Sequence, residues 1–490
     1  MAFNPFVAAA VAVLLLSLYL YKLHKVMISV PEEARALRPH PWTKEEIQET
    51  YERVCREPID FTKRLPPKLE RKYIIVGGSG LVGGDIVLQL LARGQPPSSI
   101  RIVDFSKPSR SDMLGGLAAK ADYVKTDITD PASVEAAFTK PWPSDAAELP
   151  LTVFHTAAII RPGERSMLFW ERTSRVNIDG TENVLAAAKA AGADVFVSTS
   201  SASVTLRPAR FFIPPWQSYP DGWNQICDER DFDRPLRPHA EYFANYAYSK
   251  AIAERKVCEA NAPGFRTGAV RPGNGIYGLP TDVICGPMLR EQKAVSFSSQ
   301  VIQNFVSGWN VSLAHLLFEA ALVGGGGPGA APPKCAGRPM VVTDAGPPPS
   351  WNDFFRVAKQ LAVTPVEVKL VSPLMLYLVA HLVEGWAVLL ARVPLLTRLG
   401  LSEPAGPARD LQPPIWTPSS FVIVVDSAAR RSVEEGGLGY EPGCTTLEGF
   451  CEQIRDWNRS QGKEVVESGG AGKVEKSLLQ ADLVEKHLVA

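Results

Sequence analysis

The chain has 490 residues, 46% hydrophobic and 21% charged, a composition that supports a folded core spread over two or three domain-sized units. Fifty-two basic residues balance fifty-two acidic ones, so no net field draws the protein to nucleic acid, and a nucleic-acid partner is excluded as a first reading. The seven cysteines (Cys55, Cys227, Cys258, Cys285, Cys335, Cys444, Cys451) are odd in number and never spaced Cys-x-x-Cys, which reads as reduced thiols facing a cytosol and gives no metal site.

The first element in chain order is apolar. Met1 to Tyr21 carries no charged side chain, and Lys22, His24 and Lys25 follow at once. That length is just enough to cross a bilayer. A cleaved signal peptide would place its charge before the apolar run and small residues at a cut site after it, and neither is found. Residues 1–25 are therefore read as an uncleaved transmembrane helix, with a helix lying in the interface as the alternative. The basic flank favours a single pass with the catalytic body in the cytoplasm, and the endoplasmic reticulum is the natural location.

Residues 26–70 are charged and punctuated by proline, which predicts a short helix and a spacer. From Lys72 the pattern changes. "KYIIV", "SIRIVD" (99–104), "DYVKTD" (122–127), "LTVFHTAA" (151–158) and "DVFVSTSS" (194–201) read as strands, and helix-like runs separate them, notably Val176 to Ala191. Such alternation predicts an α/β fold, a Rossmann-type doubly wound parallel sheet over residues 71–280. After about Pro280 the alternation weakens, and 281–458 is expected to form a smaller C-terminal substrate lobe. Within it, "GGGGPGAAPP" (324–333) reads as a surface loop. The apolar segment 371–394 is interrupted by His381, Glu384 and Arg392, so a helix lying on the membrane is favoured over a span, with a buried core helix as the third reading. Residues 459–490 read as a disordered tail.

The candidate chemistry begins at "VGGSGLVGG". Gly77, Gly80 and Gly83 stand three apart between a strand and a helix, where a tight turn lets a pyrophosphate approach the backbone and helix N-terminal amides hold its charge. Asp104 ends the second strand and can accept hydrogen bonds from ribose hydroxyls while repelling a 2'-phosphate, which favours NAD. Lys107 and Arg110 lie just beyond it and would tolerate NADP. Asp127 ends the third strand, either near the adenine or as a turn aspartate. Ser201 lies at the carboxyl end of the fifth strand, where an open α/β sheet binds its ligand. In "NYAYSK", Tyr246 and Lys250 share one helical face, whereas Tyr248 points elsewhere.

Taken together, "GGSGLVG", "HTAA" (155–158), "VNIDGTENVL" (from 176), "STSSASV", "YAYSK" and "VRPGNGIYG" (from 270) resemble, in order, the extended short-chain dehydrogenases. Within them the chain is similar to the 3β-hydroxysteroid dehydrogenases and their sterol-4α-carboxylate 3-dehydrogenase (decarboxylating) branch, across about Lys72 to Asn458. The resemblance implies Tyr246 as general acid/base, Lys250 as the group that binds the nicotinamide ribose and lowers the tyrosine's pKa, and Ser201 as the group orienting the substrate oxygen. It also implies that Asn177 holds a relay water, a helix-bending role being the equal alternative. Ser79, Leu81 and Val82 would join the three glycines around the cofactor, with Ala157 and Pro272. A tyrosine titrating near ~10 needs such help to act as a base.

Two departures stand out. "SGWNVSLAH" (307–315) replaces the family's usual run, with His315 read as structural. Residues 205–244 are long and rich in proline and aromatics, a cap over the substrate or an ordered surface loop. The expected function is oxidation of a 3β-hydroxyl on a sterol or other polycyclic lipid, with or without loss of carbon dioxide at C4. The alternatives are a ketone or aldehyde reductase of specialised metabolism and a non-catalytic dinucleotide-binding scaffold. Membrane lipid and a second copy in a homodimer complete the expected partners.

Overall fold

The computed structural model of the protein describes residues 5–38, 40–324 and 332–461. The tail expected to be disordered lies outside the described residues apart from Arg459 to Gln461, as does most of the 324–333 loop.

Helix α1 (Pro5–Ile28) is largely exposed along its apolar outer half and buries Leu23, Val26 and Met27 in its last turns. Helix α2 (Lys44–Arg56) opens with a capping box between Thr43 and Glu46. Its Ile47, Tyr51 and Val54, at helical spacing, enter a core shared with the C-terminal helix. Residues 44–56 are thus an integral part of the second lobe and not a free spacer, because the apolar stripe between their charges needs a surface to cover it.

Seven strands form one parallel sheet: β1 (Lys72–Val76), β2 (Ile100–Asp104), β3 (Asp122–Lys125), β4 (Leu151–His155), β5 (Ala193–Thr199), β6 (Arg266–Pro272) and β7 (Pro339–Val342). Their order is β3-β2-β1-β4-β5-β6-β7, the doubly wound arrangement whose strand order reverses between β1 and β4. Alternate residues of each strand serve opposite faces. Tyr73, Ile75, Ile102, Phe154 and Val197 meet α3 (Leu81–Ala92) and α7 (Gly308–Gly324). Ile74, Val76, Val103, Val153 and Phe196 meet α4 (Pro131–Thr139), α5 (Gly180–Ala190) and α6 (Asn245–Glu259).

The sheet therefore runs past the expected boundary at 280. α7 and β7 complete it, and the alternation is masked because residues 273–307, inserted between β6 and α7, fold with the second lobe.

That lobe is built from separate stretches of chain. Asn224–Cys227 pairs in parallel with Phe421–Val424, and Lys293–Ser296 with Glu367–Leu370. Helices α8 (Trp351–Leu361) and α10 (Thr446–Ser460) pack Phe354 and Phe450 against Tyr277 and Phe305. Between them, α9 (Pro373–Arg392) is long and apolar enough to cross a membrane, as is the stretch Pro5–Ala36. Yet α9 is fastened to the body by its polar residues: Glu384 accepts two bonds from the Arg165 guanidinium, each 2.6 Å.

Candidate active site

The turn after β1 is shaped by close approach. Gly77 has φ +84°, which glycine adopts without strain, and a Cβ there would come within 2.6 Å of the Ala157 nitrogen. A Cβ on Gly83 would meet the Gly77 carbonyl oxygen at 2.2 Å, so α3 begins directly on the turn. The Gly80 N–H donates to the Gly77 carbonyl oxygen at 3.1 Å. Asp104 closes the loop: its carboxylate accepts from the Ser79 N–H at 3.0 Å and the Ser106 N–H at 3.2 Å, while the Ser79 hydroxyl donates to the Ser106 carbonyl oxygen. Leu81 and Val82 form the first turn of α3, half-buried.

This side-chain-free cradle at a helix N-terminus, with a half-exposed carboxylate at the end of β2, fits the pyrophosphate and adenosine ribose of a dinucleotide. Arg110 is not available for a 2'-phosphate. It is buried, paired with Asp85 at 2.6 Å and Asp112 at 2.7 Å, and it donates to the Leu81 carbonyl oxygen. Burial forced that outcome, because a guanidinium placed under α3 needs partners there. Of the two cations, Lys107 remains exposed for the phosphate. Asp104→Ala is expected to raise the KM for NAD about tenfold, the value of a lost hydrogen bond to a charged group, and to narrow the gap to NADP. Initial rates with both cofactors check this.

Asp127 follows Thr126, whose N–H donates to the Asp104 carbonyl oxygen at 2.9 Å. Its exposed carboxylate accepts from the Thr129 N–H at 2.9 Å and the Thr129 hydroxyl at 2.8 Å, which is the turn role.

At the carboxyl ends of β5 and β6 the remaining residues converge. Ser201 caps the short turn Ala202–Thr205, accepting from the Ser203 N–H at 3.1 Å. Tyr246 stands on the first turn of α6, and Lys250 on the next. Burial pushes the Tyr246 phenol above its ordinary pKa, and the hydrogen bond with the Ser201 side chain opposes that rise. The depression expected from Lys250 is not what this state contains. The Lys250 ammonium donates to the Thr199 carbonyl oxygen at 2.6 Å, and burial lowers it to about 8, against the attraction of Glu254. Pro272 ends β6, buried, and Ala157 follows β4, with its N–H on the Val76 carbonyl oxygen at 3.2 Å.

Asn177 occupies a π-helical turn, Arg175–Asp179, immediately before α5. Its amide donates to the Ile159 carbonyl oxygen and to Ser249 Oγ, both at 3.0 Å, and accepts from the Ile159 N–H at 2.9 Å. Ser249 Oγ in turn donates to the Tyr246 carbonyl oxygen at 2.8 Å. All of this amide's polar atoms are engaged within the protein. It ties the β4 loop to α6, and the wide helical turn is where that tie is made.

Sequence reasoning did not find Thr199 or Ser249, although it read His315, the histidine behind Thr199, as structural. His315 is buried on α7, and its Nδ1 lies 2.8 Å from the Val311 carbonyl oxygen, so that nitrogen carries the proton and Nε2 accepts from the Thr199 hydroxyl at 2.8 Å. Burial lowers it to about 4, so it stays neutral and buttresses the strand end that holds Lys250. Nothing in the local sequence marks such contacts, which join residues 51, 72 and 116 apart. Among the described residues no cluster of side chains could hold a metal ion.

A glycine cradle at the switch point of a 3-2-1-4-5-6-7 sheet, with a serine after β5 and a tyrosine and a lysine on the adjacent helix, is the arrangement of a Rossmann-type NAD(P)-dependent oxidoreductase. Comparison with known proteins gives the family. Residues 74–212 match the 3-beta hydroxysteroid dehydrogenase/isomerase family, and residues 146–289 match the NAD-binding family described as male sterility protein.

Similar proteins include a mouse short-chain dehydrogenase/reductase family 42E member 1, 28% identical over 67% of this chain and 78% of that one. A Mycobacterium tuberculosis 3 beta-hydroxysteroid dehydrogenase/Delta 5-->4-isomerase is 31% identical over 52% of this chain, which spans 63% of its length. An Arabidopsis thaliana 3beta-hydroxysteroid-dehydrogenase/decarboxylase isoform 2 is 26% identical over 84% and 68%. Among solved structures, an epimerase from Methanothermobacter thermautotrophicus matches with TM-score 0.53 at 16% identity, covering 82% of this chain and 96% of that one, a likeness of fold. In the matched regions the chain is similar to the 3β-hydroxysteroid dehydrogenases, and it is an NAD(P)-dependent oxidoreductase acting on CH–OH groups.

Proposed function

We propose that this enzyme oxidises the 3β-hydroxyl of a sterol or steroid-like polycyclic lipid while anchored in a membrane, by analogy of its location with sterol-processing relatives that of the endoplasmic reticulum. The observation that carries the reading is the convergence of Ser201, at the end of β5, with Tyr246 and Lys250 on α6, the Lys250 ammonium resting on the Thr199 carbonyl oxygen at 2.6 Å, on the same sheet as the glycine cradle. Relatives named for 3β-hydroxysteroid and sterol oxidation support the substrate class. α1, apolar and exposed outside its last turns, supports the anchor.

Gly77 to Gly83 and Asp104 would hold a dinucleotide whose nicotinamide would supply the acceptor for the C3 hydride. Tyr246, held by Ser201, receives the hydroxyl proton as the C3–H bond breaks. Lys250, held by the Thr199 carbonyl oxygen in the state described, supports the phenolate in this reading only once the dinucleotide is bound. Ser201 donates to the substrate oxygen and orients it. Asn177 fixes the catalytic helix through Ser249. Loss of carbon dioxide needs no further residue, because oxidising C3 beside a C4 carboxylate creates a β-keto acid that releases carbon dioxide as its enolate.

α9 lies along the membrane surface in this reading. Its Glu384 is bonded to Arg165, whereas Met375, Leu378, Leu382 and Leu389 face outward. A crossing helix would have to break that pair in hydrocarbon. The test is to incubate detergent-solubilised protein with NAD or NADP and 3β-hydroxysterols, with and without a 4α-carboxylate, and to follow products by mass spectrometry. Ketone formation is expected, with loss of carbon dioxide only from the carboxylates. If no sterol reacts while simple ketones are reduced, the substrate assignment is wrong.

A further inference from the structure

Residues 211–217, "FFIPPWQ", carry two of the most exposed aromatic side chains among the described residues, Phe212 at 80% and Trp216 at 86%. The neighbouring Phe211 and Ile213 point the other way. Phe211 packs between Trp223 and Tyr377 of α9, with ring centroids 5.5 and 4.8 Å away, so the segment is rooted in a core and its outward rings are held in place.

The root includes the anchor helix. Tyr19 Oη donates to the Phe211 carbonyl oxygen at 2.7 Å and accepts from the Ile213 N–H at 3.2 Å. One turn on, Lys22 Nζ donates to the carbonyl oxygens of Pro214 at 3.0 Å and Gln217 at 2.9 Å. The Phe212 ring also lies 6.5 Å from the Tyr19 ring. The polar ends of two successive turns of α1 are thus committed to this one loop.

These contacts fix a depth. From Pro5 to Leu18 the helix stands clear of the body, a rise of roughly 20 Å, most of a bilayer's hydrocarbon core. The level at which hydrocarbon gives way to headgroups then falls at Tyr19 to Lys22, and an aromatic and a lysine are the residues that favour that level. Phe212, its ring 6.5 Å from that of Tyr19, and Trp216, between two residues bonded by Lys22, are exposed beside Tyr19 and Lys22.

We propose that residues 211–217 are a membrane-interface wedge. Phe212 and Trp216 insert among the headgroups and upper acyl chains of a phospholipid bilayer and, through Tyr19 and Lys22, set how deep the second lobe sits. The loop leads back through residues 202–210 to Ser201, so the wedge holds the substrate side of the site against the phase in which a polycyclic lipid dissolves. The inference rests on the membrane reading above.

The experiment uses the full chain in phosphatidylcholine vesicles whose acyl chains carry bromine near the headgroup, which quenches tryptophan on contact. The parent is expected to lose emission relative to unbrominated vesicles. Trp216→Phe, a change at an exposed ring that leaves the fold intact, is expected to remove a clear share of that loss. Trp142→Phe, at the far edge of the sheet beside Lys72 and Arg101, should remove none. If the parent is quenched and Trp216→Phe is quenched to the same extent, the wedge is overturned while the anchor stands. If the parent is not quenched at all, the membrane reading falls, and the wedge with it.

Discussion

Tyr246→Phe is expected to lower kcat by about 10²- to 10⁴-fold, the contribution of a positioned general acid/base, while NAD binding changes little. The phenol is half-buried beside Ser201, and removing only its oxygen deletes the proton acceptor without opening a cavity. Steady-state kcat together with a fluorescence titration of NAD separates the two quantities. A variant that turned over as fast as the parent would sink the mechanism.

The pH dependence follows from the same groups. Because burial raises the Tyr246 phenol, the phenolate that oxidation needs grows as pH rises, so oxidation gains on the alkaline side while reduction, which needs the phenol, gains as pH falls. Lys250 acts against the first trend. Its pKa of about 8 means that the charge supporting the phenolate fades above that pH. With NAD bound, oxidation should therefore climb and then flatten near pH 8, measured as kcat/KM for the sterol at saturating NAD. For stability the sign is the reverse of a stabilised lysine. The unfolded side chain keeps its proton to about 10.4 and the folded one releases it near 8, so the penalty for burying this charge is present below pH 8 and is relieved between those values.

How much of this was legible depended on distance along the chain. The strand at Lys72 to Val76, the glycine turn and Asp104 lie within 33 residues, and each is set by local pattern, apolar run, glycine spacing and acidic strand end. Tyr246 and Lys250 were legible through helical spacing and their order after Ser201. What escaped depended on tertiary contact. Arg110 reads in sequence as a free cation near the ribose, yet its partner Asp85 lies 25 residues away on α3 and takes it out of play. The sheet's last strand was hidden because residues 273–307 leave the sheet between β6 and α7. The spacer's true role was hidden because α2 finds its apolar partner in α10, at the other end of the described chain.

The largest stability effect is expected at Arg271. It lies on β6, fully buried, with Nε and Nη2 on the two oxygens of Glu254 at 2.7 and 2.6 Å and Nη1 on Asp231 at 2.6 Å. Glu254 is one turn beyond Lys250 on α6, so the pair bolts the catalytic helix to the sheet. Arg271→Met removes the cation and leaves a buried carboxylate unpaired, which costs about 3–5 kcal/mol, a large part of a domain's usual margin. Adding Glu254→Leu should recover most of that loss, since an apolar pair of similar volume often replaces a buried ion pair without penalty. Thermal unfolding of the two variants measures this, and equal destabilisation in both would show that lost packing, not the orphaned charge, is responsible. The catalytic readout is independent of stability. Glu254 is the charge that opposes the fall in the Lys250 pKa, so in the double variant Lys250 should titrate lower than in the parent, and the alkaline flattening of oxidation should move to lower pH.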